Sequence, residues 1–257
     1  VVWRASHATV ILKMTGKNMS KKRQKRALKN AIPFMLPSFL GMIVFSFLPI
    51  IISIAISFTN WNGLDKLSYK TLASNFVFLD NYKQILGTSE FWKVLGHTCY
   101  YIVLYIPMVL IMSLLIASIL NKNMKGITVF RIMYYIPVLT SWVAASLIWK
   151  WVLSPQYGIL NQLLGYIGIS GPGWLTDKVW AMPAIVLASV WKDMGFYGLF
   201  LLSGLKAIDT GYYEAATVDG AGKMKQFFSI TLPLLSPSMF FCIIMALINA
   251  FQLFPQV

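Results

Sequence analysis

The chain has 257 residues, of which 58% are hydrophobic and only 12% are charged, and its mean hydropathy is +0.67. A soluble domain of this length carries about twice that charged fraction. The apolar residues also occur in blocks that are too long for a soluble core. The composition therefore excludes an ordinary soluble protein and predicts that lipid is the solvent for most of the chain.

The net charge of +14 is unevenly placed along the chain. Nine of the 22 basic residues precede residue 30, and they are densest over Lys21–Arg26, just before the first apolar block. A basic run beside a first spanning helix sets membrane topology and contacts anionic lipid. We therefore expect membrane lipid as a partner and no nucleic acid.

Thiol and imidazole groups are too few for a metal site. Cys99 and Cys242 both lie in apolar segments, and His7 and His97 stand far apart in the sequence. Neither a metal-ligand spacing nor a disulfide framework is present. We therefore predict no metal, no cofactor and no catalytic residue.

The apolar blocks predict an all-α membrane bundle with five spans. The first three cover about Ala31 to Phe58, Phe91 to Leu120 and Ile127 to Leu153; the fourth covers about Trp180 to Leu205, and the fifth begins near Leu232. A sixth span beyond the C-terminal end would return the chain to the cytoplasm. Three regions are predicted: a basic cytoplasmic tail over 1–29, a first span with an external loop over 30–90, and a core over 91–257.

The basic residues also predict the orientation. They are concentrated in the N-terminal tail, in the 121–131 turn and in the 206–231 loop, whereas acids offset them in the intervening connections. Cytoplasmic loops carry the excess of Lys and Arg. We therefore expect the N-terminus and the 206–231 loop in the cytoplasm of a bacterial or archaeal cell.

The 206–231 loop contains the strongest motif of the chain. Residues 214–221 read Glu-Ala-Ala-Thr-Val-Asp-Gly-Ala, and Ile230, Pro233 and Pro237 follow at fixed spacing. This stretch resembles the EAA loop of ABC importer permeases. The resemblance implies that the loop binds a separate ATPase subunit. The residues assigned to this contact are Tyr213, Glu214, Ala215, Ala216, Asp219, Gly220, Ala221, Phe227, Ile230 and Pro233.

Local signals in the loop predict a helix–turn–helix. Asp209 or Thr210 can cap a first helix over about 212–218, and Gly220 provides a left-handed stop. A second helix is expected over about 222–230. The product would project from the membrane as a compact docking element.

Further phrases resemble the maltose/lactose/glycerol-phosphate branch of sugar importer permeases. They include residues 60–63, 78–82, 130–137 and 155–161. The resemblance implies a type I ABC importer permease, with ATPase subunits, a second permease and an extracytoplasmic sugar-binding protein as partners. One departure is Pro255, because members often carry an acid there in the phrase Phe-Gln-x-Phe-Asp.

Four polar residues inside the spans are possible contacts along a substrate pathway. Lys192 and Asp193 fall mid-span, where an isolated charge in lipid costs roughly 3 kcal/mol. They either line a pathway or form structural contacts. Asn249 and Gln252 either bond sugar hydroxyls or join helices.

Two other classes of protein compete with this interpretation. An intramembrane enzyme would show a motif such as His-Glu-x-x-His or Gly-x-Ser-x-Gly, and a stand-alone secondary transporter more often shows internal repeats. The sequence contains none of these, nor a Walker A motif. ATP hydrolysis is therefore expected on a separate subunit. A permease for a non-sugar solute remains the alternative within the ABC class.

Overall fold

The computed structural model describes residues 21–64, 75–122 and 125–252, with side chains from residue 32 onward. Those residues are predominantly helical, and their only β contact is an isolated antiparallel bridge between Thr59 and Phe76. The predicted all-α membrane bundle is confirmed. The chain divides into two compact units, residues 1–89 and 90–257, which are described separately.

The first unit is built on one long apolar helix. It consists of α1 (Lys21–Met42), a π-helical turn (Ile43–Phe47) and α2 (Leu48–Ser57) in direct succession. The helix begins ten residues before the predicted start of the first span, because residues 21–30 are mostly strong helix formers without Gly or Pro. The basic run is therefore helical and continuous with the apolar block.

The end of this helix is tied to the short helix α3 (Asp80–Gly87). Asn81 Nδ2 donates to the carbonyl oxygens of Ser57 (3.0 Å) and Thr59 (2.9 Å). The Tyr82 hydroxyl lies 2.7 Å from Ser57 Oγ. The Asn-Tyr pair of the 78–82 phrase thus joins α3 to the C-terminal end of α2.

The second unit contains the remaining described helices. They are α4 (Ser89–Leu120), α5 (Ile127–Leu139), α6 (Trp142–Val152), α7 (Ile159–Tyr166), α8 (Ala181–Ala207), α9 (Thr210–Val218), α10 (Lys223–Gln226) and α11 (Leu232–Phe251). A π-helical turn, Phe227–Thr231, joins α10 to α11.

Helix α8 forms the centre of this unit. Half of its most apolar stretch is buried, against 22% for α4 and α11. Gly195 and Gly204 allow the neighbouring helices to approach closely. A Cβ at Gly195 would stand 2.7 Å from the Tyr134 carbonyl oxygen, and one at Gly204 would stand 2.7 Å from Leu235 Cδ1. Larger residues at either position would separate α8 from α5 or α11.

The described residues contain four helices long and apolar enough to cross a membrane, and a fifth span if α5 and α6 are counted together. The third span is not the continuous helix that was predicted. It bends by 101° between Leu139 and Trp142. Thr140 is extended there, and Ser141 caps α6 by accepting a hydrogen bond from Ala144 N at 3.2 Å. Pro137 and this new cap together explain the break.

The fifth span also differs from the prediction at its start. Residues 223–251 form one continuous helix, so the second helix of the 206–231 loop runs directly into the span. No break occurs at Leu232, because the π-helical turn Phe227–Thr231 accommodates the junction just before Pro233. The departure at Pro255 lies outside the described residues.

Candidate functional site

The first helix of the 206–231 loop, α9, has a defined cap at each end. Asp209 is the capping residue at its start, and its Oδ1 accepts a hydrogen bond from Gly211 N at 2.9 Å. At its end, Gly220 N donates to the Thr217 carbonyl (3.0 Å) and Ala221 N donates to the Ala216 carbonyl (2.8 Å). These two bonds form a Schellman motif.

The Schellman motif requires the left-handed conformation of Gly220, whose φ is +75°. A residue with a Cβ is strained in this region, so glycine is the natural choice. The glycine of the Glu-Ala-Ala-x-x-Asp-Gly-Ala pattern is therefore explained by backbone geometry.

Three hydrogen bonds, made by the side chains of Gln226 and Tyr213, fix the two arms of the loop relative to each other. Gln226 Nε2 donates to Thr217 Oγ1 (3.0 Å) and to the Ala221 carbonyl (2.9 Å). The Tyr213 hydroxyl lies 2.9 Å from Thr231 Oγ1, at the start of the fifth span. A displacement of α9 would therefore reach α11 through these hydrogen bonds and not only through the connecting backbone.

The residues assigned to ATPase contact lie on one continuous element. Those exposed to solvent are Glu214, Ala215, Asp219, Gly220 and Pro233. Those partly buried are Tyr213, Ala216, Ala221, Phe227 and Ile230. The exposed residues are accessible to a partner, and the partly buried residues pack beneath them inside the loop.

Two apolar side chains at the tip were not among the predicted residues. Val218 is 88% exposed and Met224 is 72% exposed, on the two sides of the Gly220 turn. Apolar groups this exposed on a polar loop are typical of an interaction surface. Their apolar character within a polar stretch is the signal that could have identified them in the sequence.

The mid-span charges belong to a second group of residues, which we call the inner polar cluster: Tyr105, Lys192, Asp193, Tyr197 and Asn249. Tyr105 donates its hydroxyl proton to Asp193 Oδ2 at 2.6 Å. Tyr101 stacks on the Tyr105 ring at 5.1 Å and helps to hold it in place. Asp193 is half-buried, so its carboxylate is held by α4 but is not sealed from its surroundings.

Lys192, the residue before Asp193 on α8, is buried (6% exposed) and points to different partners. Its Nζ lies 3.5 Å and 3.4 Å from the carbonyl oxygens of Pro137 and Val138, at the C-terminal end of α5. It also lies 4.9 Å from the centre of the Trp142 ring. A cation is favoured at a helix C-terminus and over an indole face. Lys192 thus holds both sides of the break between α5 and α6.

The two amides proposed for the pathway lie near the end of α11. Asn249 Nδ2 donates to the Tyr197 hydroxyl at 3.1 Å, so it joins α11 to α8 while its side chain remains accessible. Gln252 is exposed just beyond the helix. The structure joins Asp193 to α4 and Asn249 to α8, and it places Lys192 apart from them, against α5 and α6. The Gln252 side chain makes no described contact with these residues.

The groups of the loop and of the inner polar cluster are suited to hydrogen bonding and to apolar contact. Within residues 21–64, 75–122 and 125–252, no three His, Cys, Asp or Glu side chains gather in a way that could hold a metal ion. The inner polar cluster instead presents hydroxyl, amide and carboxylate groups, which can exchange hydrogen bonds with a polar solute.

The comparison with known families decides the identity of the chain. A family described as the binding-protein-dependent transport system inner membrane component matches residues 84–256. The chain belongs to this family. The permease is 33% identical over 248 residues to the probable ABC transporter permease protein YesP of Bacillus subtilis, covering 94% of this chain and 77% of that protein.

Two further comparisons place the permease among its relatives. It is 34% identical over 237 residues to the trehalose/maltose transport system permease protein MalF of Thermococcus litoralis, covering 92% of this chain and 78% of that protein. It also resembles a crystal structure of a bacterial ABC transporter that imports the acidic polysaccharide alginate. The TM-score is 0.72 at 22% identity, over 90% of this chain and 77% of that one. That likeness shows the shared permease fold.

Proposed function

We propose that this permease forms half of the translocation pathway of an ATP-driven sugar importer and couples to a separate ATPase through the 206–231 loop. The observation that carries this proposal is the construction of the loop. It is capped at Asp209, reversed at Gly220 and joined to the fifth span by Tyr213 and Thr231. Such an element can pass the motion of an ATPase to the membrane helices.

The solute is assigned to the carbohydrate class. Support comes from the trehalose/maltose system of which the Thermococcus relative is part. Hydroxyl-rich solutes also suit the donors and acceptors of the inner polar cluster. A non-sugar solute is the second candidate within the same class of importer, and a direct uptake measurement separates the two.

Three kinds of protein partner complete the proposed machine: ATP-binding cassette subunits below the membrane, a second permease beside this one, and an extracytoplasmic sugar-binding protein above. The chain has no Walker A motif, so ATP hydrolysis is assigned to the cassette subunits. The second permease is either a related chain or a copy of this one. The contacts assigned to the cassette are the exposed loop residues, with Val218 and Met224 added.

The residues of the inner polar cluster receive different roles. Asp193 is half-buried and Asn249 is accessible, so we assign these two to contact with the solute. Lys192 is buried against the break between α5 and α6, and we assign it a positioning role. Gln252, just beyond the end of α11, stays a candidate for contact with the solute.

The proposed orientation places the tail over 1–29 and the 206–231 loop in the cytoplasm, with the loop over 59–90 outside. Cysteine labelling in intact cells tests it. A cysteine at Lys125 or Lys223 should resist an impermeant thiol reagent, whereas one at Lys178 should react. Lys178 is exposed on the connection between α7 and α8. Labelling of Lys223 from outside would reverse the orientation.

Reconstitution into proteoliposomes tests the function itself. Labelled maltose, trehalose or lactose should accumulate only when ATP, the cassette subunits and the binding protein are all present. Uptake by this permease without ATP would indicate a secondary transporter instead. ATP-driven uptake of amino acids or inorganic ions, with no sugar uptake, would support an ATP-driven importer and contradict the assignment of a sugar as its solute.

A further inference from the structure

A cavity of about 360 Å³ lies between α6, the start of α8 and the connection that precedes it. This volume falls within the range of about 300 to 1,000 Å³ that is usual for small-molecule sites. Its lining residues are Trp142, Ala145, Ser146, Leu147, Trp149, Lys150, Leu153, Leu175, Ala184, Ile185 and Ala188. It lies at the end of the bundle away from the 206–231 loop, and most of its wall is apolar.

The polar groups of this cavity are few. Lys150 is exposed, and among the described residues no carboxylate lies within 4.0 Å of its ammonium group. Trp149 also lines the cavity, but its Nε1 is buried and offers no donor to a ligand there.

The surroundings of the cavity are those of a membrane–water interface. Trp151 and Leu147 are exposed on the same helix, and Trp174 and Trp180 pack edge to face at 5.2 Å on the adjoining connection. Tryptophan is enriched where acyl chains meet headgroups. A ligand at this depth has an apolar part and a charged part, as a phospholipid has.

We propose that this cavity binds a phospholipid with an anionic headgroup. The phosphate contacts the Lys150 ammonium group, and an acyl chain occupies the apolar space between α6 and α8. A saccharide fits less well, since few lining groups can bond its many hydroxyls. The proposal rests on membrane insertion and does not depend on which solute the permease transports.

The position of the site gives it a conformational consequence. Trp142 lines the cavity and also carries the Lys192 ammonium group over its ring. A lipid in the cavity therefore presses on the same indole that holds the break in the third span. Occupancy would stabilise the bent arrangement of α5 and α6.

Photo-cross-linking in native membranes tests the proposal with the full chain in its assembly. The probe is phosphatidylglycerol with a photoreactive diazirine in one acyl chain, and mass spectrometry maps the labelled residues. We expect label within 146–153 and 184–188. Unlabelled phosphatidylglycerol should compete for it, whereas phosphatidylcholine should not.

A matched pair of variants sharpens the test. Lys150→Gln should lower this labelling about fivefold, the contribution of one lysine at an anionic surface, while Lys178→Gln should not change it. Equal labelling in both lysine variants, equal competition by phosphatidylcholine, or label confined to other helices would overturn the proposal.

Discussion

The 206–231 loop and the inner polar cluster differ in how far apart along the sequence their hydrogen-bonded residues lie. The described side-chain hydrogen bonds of the loop join residues at most 18 positions apart, as Tyr213 and Thr231 are. The bonds of Asp193, Lys192 and Asn249 join residues 88, 54 to 55 and 52 positions apart. The loop can form its shape locally, whereas the cluster exists only after the helices have packed.

This difference separates two kinds of failure. A change in the cluster leaves a buried polar group without its partner and weakens the bundle itself. A change in the loop should leave the bundle intact and should affect the proposed coupling between the ATPase and the membrane helices. Stability and coupling should therefore respond to different residues, and the following variants test that separation.

The largest effect is expected from Gly195→Leu, because its Cβ would stand 2.7 Å from the Tyr134 carbonyl oxygen. Forcing α8 away from α5 should cost about 3 kcal/mol or more and remove most folded protein from the membrane. Quantitative immunoblotting of membranes measures this loss. Gly96→Leu is the control, since nothing lies within 4 Å of a Cβ there. Equal loss in both variants would contradict the packing argument.

Tyr105→Phe should have the next largest effect. It removes the hydroxyl that donates to Asp193 and should cost about 2 kcal/mol, which is typical of a hydrogen bond to a charged group. Thermal unfolding in detergent measures the change. Tyr100→Phe, an exposed neighbour on α4, should be neutral. If Tyr105→Phe were as stable as Tyr100→Phe, Asp193 would not depend on this bond.

Lys192→Met should cost about 1 kcal/mol, because the cation at the end of α5 and over Trp142 is lost while the stem is kept. Lys192→Arg should recover most of this stability, since it keeps the charge. A distance measurement between spin labels on α5 and α6 should broaden in the methionine variant only. An unchanged distribution in that variant would show that Lys192 does not hold the break.

Gln226→Leu should have the smallest effect on stability, below about 1 kcal/mol, because its bonds lie within the loop and one of them is exposed. Its effect on coupling should be larger, because the two arms are no longer fixed together. The ratio of ATP hydrolysed to sugar transported measures this. Ser229→Ala, also exposed in the loop, is the control. An unchanged ratio would mean that Gln226 is dispensable.

The same contrast explains how much of the structure could be predicted from the sequence. The cap at Asp209 and the stop at Gly220 depend on neighbouring residues, so local signals were sufficient to predict them. The partners of Lys192 and Asp193 depend on α5 and α4, whose register on α8 no local signal specifies. The break after Leu139 was missed because hydropathy alone does not separate a bent span from a straight one.

Helix ends were the other source of error. The first helix begins at Lys21, since helix-forming residues extend it beyond the apolar block. The fifth span begins within the loop, because a π-helical turn accommodates the junction at Phe227–Thr231. Composition identifies which residues enter lipid, and it says little about how far a helix continues outside it.

The central claim, that the Gly220 turn couples the loop to transport, is tested most directly by two valine substitutions two residues apart. Neither glycine has a neighbour within 4 Å of an added Cβ, so the space is equal. Gly220 has a φ of +75°, where valine is strained by about 1 to 3 kcal/mol, whereas Gly222 has an ordinary φ of −67°.

The measurement is sugar uptake together with the ATP hydrolysis stimulated by loaded binding protein, at matched amounts of permease in the membrane. Gly220→Val should lower both at least tenfold, and Gly222→Val should leave both near the level of the unmodified protein. If Gly220→Val kept both activities, or if the two variants lost them equally, the turn at Gly220 would not be the coupling element.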